Sequence, residues 1–162
     1  MIVAIDPGLA GGIAFHDPAA KTFAIFAMPT HHLTRGGKKK SEIDATELAR
    51  LVDAHGPIAR AVVEGVGAMP GQGVTSSFAF GKGFGIVLGI LAANFIPLEL
   101  VAPATWKRAT GIPSGSGKDA SRARASALLP HLAGHWSRAM DDGKAEAALI
   151  ALWAARQIGG AV

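Results

Sequence analysis

Four acidic residues stand where chemistry could happen. Asp6 closes the apolar, β-branched run MIVAI and is followed by Pro7-Gly8 and a Gly11-Gly12 pair. That is the pattern of a buried strand, a glycine turn and a returning strand over residues 12–15. Glu64 likewise closes a short apolar strand, residues 61–63. Asp142 and Glu146 lie one turn apart in an alanine-rich helix predicted from Asp141 or Asp142 to Gln157. They share its face with Leu149, Ile150 and Trp153. A carboxylate leaving a core strand is costly unless paired, and in an enzyme site a metal ion is a common partner. Plainer readings exist for single acids: Asp6 as a turn residue, Asp141 or Asp142 as a helix N-cap. Capping does not account for Glu146 on the apolar side.

With the first and fourth strands as neighbours, Asp6 and Glu64 lie side by side at one sheet edge, and the last helix closes the cluster. Four acids gathered in a dry site destabilise the fold unless cations bind between them. Ligation by carboxylates alone selects hard divalent ions, Mg²⁺ or Mn²⁺. Two such ions about 4 Å apart are the arrangement that supports phosphodiester hydrolysis. Outside those four acids, sixteen basic residues face eight acidic ones, a balance of +8. An acidic site within a basic surface suits the backbone of a nucleic acid.

The totals permit such an enzyme. At 162 residues and 49% apolar content, the chain reads as one domain spanning 1–162 with a substantial core. Cysteine is absent, which excludes thiolate catalysis and cysteine zinc sites and fits a reducing cytoplasm. No signal-like segment precedes the first strand, and the longest apolar stretch, 83–98, is broken by Asn94 and Pro97 and falls short of a bilayer span. The net charge of +4 and pI near 9.8 suit an anionic partner, a balance that many ordinary domains share.

The elements that must hold the acids follow in order. Residues 21–29 read as a third antiparallel strand. Residues 31–40 read as a loop with a basic tip, Arg35-Gly-Gly-Lys38-Lys39-Lys40, either solvated or touching a phosphate backbone. Ile43, Leu48, Leu51 and Val52 recur at helical spacing until Gly56-Pro57. A glycine-rich connection, 65–77, leads to a helix over 78–94 that reads as buried. Its Gly81, Gly85, Gly89 and Ala93 form a smooth stripe for close packing, within the chain or across a dimer interface. Residues 98–101 form a fifth strand. Beyond it Lys107, Arg108, Lys118, Arg122 and Arg124 lie within eighteen positions, and a basic helix covers 121–129. Gly115-Ser-Gly117-Lys118 is no nucleotide-binding P-loop, because Ile112 replaces the first glycine and Asp119 follows the lysine. His131 and His135, separated by Gly134 among others and with no Glu between, do not make a zinc motif.

The segments IDPGLAGGIA, VVEG and DDGKAEAALIA, in this order and element context, resemble the RuvC-type Holliday junction resolvases of the RNase H-like nucleases. The likeness runs from Met1 to about Ala155. It implies an α/β fold: a five-stranded mixed sheet, three antiparallel strands then two parallel, with helices on both faces. It also implies a homodimer that nicks opposed strands of a four-way DNA junction, with two Mg²⁺ or Mn²⁺ ions per site and no nucleotide cofactor or membrane. By the resemblance Asp6, Glu64 and Glu146 bind metal, Asp142 is the fourth ligand with Asp141 as alternate, and Lys107 and Lys118 approach DNA. One ion would activate water and the other the leaving 3′ oxygen, while Arg108, Arg122 and Arg124 help position the backbone. The expected setting is the cytoplasm of a bacterial or phage-infected cell. Two departures mark a divergent or phage-borne branch. The last motif spaces Asp142 and Glu146 four apart where the family has two Asp three apart. Gly67 stands where the family has a junction-contacting aromatic, for which Met69 or Phe78 could substitute. Rival readings are another RNase H-like nuclease for flaps or RNA–DNA hybrids, or a non-catalytic junction-binding module. An actin-like ATPase would need two such lobes.

Overall fold

The computed structural model describes residues 1–67, 71, 73–117 and 119–158, without the side chains of Arg35, Lys38 and Ile158. The apolar opening run forms β1 (Ile2–Asp6), which returns through the glycine turn as β2 (Gly12–Asp17) and continues as β3 (Thr22–Ala27). These three strands are antiparallel. On the other side of β1 lie β6 (Arg60–Glu64) and then β7 (Leu98–Val101), both parallel to it, so the sheet order is β3-β2-β1-β6-β7. The expected five-stranded mixed sheet is present.

Side-chain alternation divides the core into two layers. Ile2, Ala4, Ala14 and Val62 face α5 (Asp142–Ile158) and its neighbours α3 (Pro103–Thr110) and α4 (Ala120–Leu128). Val3, Ile5, Ile13, Phe15 and Val63 face α1 (Ala45–Ala54) and α2 (Val74–Ala93). By that parity Asp6 and Glu64 belong to the α5 face. The predicted apolar stripe of α5 is buried there: Leu149 and Ile150 fully, Trp153 nearly so. Alanines at 145, 147, 148, 151 and 154, all buried, let the helix lie close to the strands.

Three expectations are corrected. Residues 31–40 are no loop but most of a second, two-stranded sheet, β4 (Thr30–Arg35) and β5 (Lys38–Ile43). Gly36 and Gly37, with φ of 58° and 72°, supply the two left-handed residues of a tight hairpin turn. Ile43 consequently ends a strand, and α1 starts after Asp44, whose carboxylate caps it by accepting from Glu47 N at 3.0 Å.

The helix expected to be buried, α2, begins at Val74 and buries only Gly83, Val87 and Leu91. Among the described residues its glycine stripe packs against nothing: a Cβ at Gly81, Gly85 or Gly89 would meet no atom within 4 Å. This helix is also long and apolar enough, by length and composition, to cross a membrane. Here its buried stripe lies on the sheet and Lys82 pairs with Glu42 of β5. Two short 3₁₀ segments, Pro130–Trp136 and Ala139–Asp141, link α4 to α5.

Candidate active site

The register that pairs Ile5 with Val63 sets the next residues, Asp6 and Glu64, at the same end of adjacent parallel strands. Asp6 Oδ1 accepts a hydrogen bond from Gly8 N at 3.2 Å, so the glycine turn itself orients this carboxylate. Glu64 is 6% exposed and accepts from the indole Nε1 of Trp106 at 2.8 Å. Trp106 reaches it because β7 passes directly into α3, where Pro103 opens the helix and left-handed Gly111 (φ 83°) closes it.

The third component depends on glycines. Gly11 bridges Gly143 at the start of α5, and the contact admits no side chain. A Cβ on Gly12 would lie 2.4 Å from Gly143 O, and one on Gly143 would lie 2.4 Å from Ala10 O. This close approach brings Asp142 and Glu146 beside the Asp6 turn. Glu146 Oε1 accepts from Ser121 Oγ at 2.8 Å and pairs with Lys107 Nζ at 3.0 Å. Asp6, Asp142 and Glu146 line one cavity of about 1030 Å³, together with Lys107, Arg108 and Ser121.

The acids sense one another. Burial, then the charges of Glu64 and Glu146, push Asp6 up to about 7. Burial also raises Glu64, opposed by the Trp106 hydrogen bond, and Glu146 raises it further. The Lys107 ammonium lowers both, acting as an internal counter-ion. Among the described residues no three His, Asp or Glu side chains already surround one ion position. The donor set nevertheless fits a hard divalent cation: three coupled carboxylates, with one lysine as their shared cation in its place.

The remaining predicted residues divide. Asp142 forms an ion pair with Arg122 at 2.9 Å, and Arg122 also holds Asp119. Asp141 is turned away from the cluster: it is 6% exposed and clamped by Arg138 and Lys144, each at 2.9 Å. Those cations hold its carboxyl far below the usual range. Arg108 is exposed at the cavity, whereas Arg124 donates through Nε to Thr110 O and braces α4 against the end of α3. Lys118 and Met69 lie outside the described residues. A Cβ on Gly67 would meet no atom of the described residues within 4 Å, and Phe78 is 73% exposed near the start of α2. Sequence reasoning missed Trp106, Ser121 and Gly143. The only available signal was the placement of Trp106 between two basic residues and a strand end.

No family profile matches this sequence, and neither does any curated protein. Solved structures do. Thermus thermophilus RuvC superposes over 98% of this chain and 96% of its own, with TM-score 0.56 and 13% identity. The fold is that of RuvC. A second structure, T. thermophilus RuvC in complex with Holliday junction substrate, aligns over 96% of this chain and 95% of that one, with TM-score 0.59 and 13% identity. Against RuvC at so low an identity, the likeness concerns the path of the chain, and the site chemistry rests on the residues described above.

Proposed function

We propose that this chain is a divalent-metal-dependent endodeoxyribonuclease that resolves four-way DNA junctions by paired nicks. The observation that carries the reading is the gathering of Asp6, Glu64 and Glu146 from three separate elements into one electrostatically coupled group, with Asp6 and Glu146 lining the cavity beside Lys107 and Arg108. The RuvC fold, seen elsewhere in complex with a Holliday junction, supports four-way DNA as substrate.

Asp6, Glu64 and Glu146 would hold Mg²⁺ or Mn²⁺, two ions per site, with Asp142 joining once released from Arg122. Bound there, the ions supply positive charge for ionising the attacking water and for the leaving 3′ oxygen. Trp106 fixes one oxygen of Glu64, and Ser121 fixes one of Glu146, so the ligands are oriented before ions arrive. Lys107, paired with Glu146 here, would be free to contact the DNA backbone when the carboxylates hold metal. Arg108 and Lys118 add backbone contacts that position without reading sequence. Paired nicks need two sites, and a homodimer is supported by the uncovered apolar face of α2, with Val74 87% and Phe78 73% exposed. The reading places the enzyme in the cytoplasm of a bacterial or phage-infected cell.

Incubating a synthetic four-way junction with Mg²⁺ or Mn²⁺ and comparing the native chain with Glu64→Gln tests this. Paired nicks lost in the variant, with junction binding kept, are expected. Binding without cutting in either protein would mark a binding module. Equal cutting of duplexes, flaps or hybrids would retain the nuclease and remove the resolvase.

A further inference from the structure

Alternate residues of the β1–β2 turn line two different sites. Asp6, Gly8 and Ala10 face the carboxylate cavity, bounded by α3, α4 and α5. Pro7 and Leu9 instead line a smaller cavity of about 320 Å³ with Glu42 and Ile43 of β5 and with Phe80 and Lys82 of α2. The base of the β4–β5 hairpin therefore abuts the very turn that carries Asp6. It is fastened to α2 at two points. Ile43 is 3% exposed and would touch a Cβ on Gly83 at 3.1 Å, and Glu42 pairs with Lys82.

The far end of this hairpin is cationic. Residues 30–43 hold Arg35, Lys38, Lys39 and Lys40, a quarter of the sixteen basic residues, against Glu42 as the one acid. The register sets Lys39 opposite Thr34 and Lys40 opposite Leu33, so neither has an acid across the ladder, and both are exposed. Like charges crowded on one two-stranded hairpin repel unless an anion lies against them. Lys39 and Lys40 leave opposite faces of the hairpin, Lys39 on the face of Thr34 and Ser41 and Lys40 on that of Leu33 and Glu42, so its basic end can meet phosphates from both sides. Such a surface fits a repeating anion with no apolar face, the phosphate backbone of DNA.

We propose that the β4–β5 hairpin is a second DNA-backbone contact, gripping substrate on the side of the Asp6 turn opposite Lys107 and Arg108. This rests on the nuclease reading and deepens it. The scissile phosphate would lie between two basic walls, and the hairpin would hold DNA that extends away from the cut.

The test is binding of a labelled four-way junction by fluorescence anisotropy across 50–200 mM salt, with Ca²⁺ replacing Mg²⁺, for the native chain and for Lys39→Gln/Lys40→Gln. Two lost phosphate contacts make the slope of log affinity against log salt shallower by about 1.8, and weaken binding about tenfold or more at 0.1 M. Cleavage at saturating junction should stay within about twofold. Lys21→Gln/Arg50→Gln removes the same charge elsewhere and should leave the slope unchanged. An unchanged slope in the hairpin variant, or an equal change in the control, overturns the hairpin contact while leaving the nuclease intact. A native chain that binds no DNA overturns both.

Discussion

The indole Nε1 of Trp106 donates to Glu64 Oε1 at 2.8 Å, and both partners are buried. This one bond ties the end of β6 to α3 and offsets part of the desolvation of a carboxylate at the site. Trp106→Phe keeps most of the ring volume and removes the donor. Cleavage should fall about ten- to a hundredfold, with a matching rise in the Mg²⁺ concentration needed. Thermal unfolding should shift by only a few degrees. Cleavage titrated against Mg²⁺ reads the effect, and an unaltered metal requirement would leave Trp106 a packing residue only.

Asp6 makes stability depend on pH in an unusual direction. Its folded pKa of about 7 lies above its ordinary 3.8. Between those values the unfolded chain has released the proton while the folded chain retains it. Stability of the metal-free protein therefore declines as pH rises from about 4 to about 7 and levels off above. Denaturant melts at pH 5 and pH 8 should show the loss, and Asp6→Asn should reduce it, leaving the smaller part that the raised Glu64 contributes with the same sign. Mg²⁺ should restore stability at pH 8 more than at pH 5, since it binds the ionised carboxylates.

Asp141 and Asp142 are neighbours with separate duties. Asp141→Asn loses two cationic partners in a nearly buried position and should lower the melting temperature clearly while sparing most cleavage. The depressed pKa of Asp141 means its contribution is present at neutral pH and fades as the solution becomes strongly acidic. Asp142→Asn should do the reverse, cutting activity about tenfold or more with little change in melting. Activity and melting measured on both variants would expose an exchange of these roles.

The Gly11–Gly143 bridge limits how near α5 can come. Gly143→Ala introduces a Cβ 2.4 Å from backbone atoms, so the helix must move away from the turn. A cost of about 3 kcal/mol or more is expected, with Glu146 carried away from Asp6. Gly134→Ala, which meets nothing within 4 Å, serves as the control. Comparable melting of the two variants would show that the contact is looser than described.

Much of this was legible in the residues. Apolar β-branched runs ending in Asp6 and Glu64 announced strands that deliver carboxylates, because a central parallel strand is buried on both faces and its first charge marks where it leaves the core. The i, i+3, i+4, i+7 spacing of Glu146, Leu149, Ile150 and Trp153 placed an acid on a packing face for the same local reason. The hairpin escaped, because both of its strands are polar and show no apolar alternation for the period to reveal.

The sequence by itself determined which residues end strands and which share a helix face, since these follow from periods of 2 and 3.6 along the backbone. Tertiary structure alone decided the rest. It turned Asp141 into a clamp and left Asp142 at the cavity, because only the path of the preceding 3₁₀ segment sets which acid meets Arg138 and Lys144. It exposed the glycine stripe of α2, because burial depends on what stands opposite and not on composition. It brought Trp106 to Glu64, forty-two positions away, because a hydrogen bond requires proximity that no local spacing encodes.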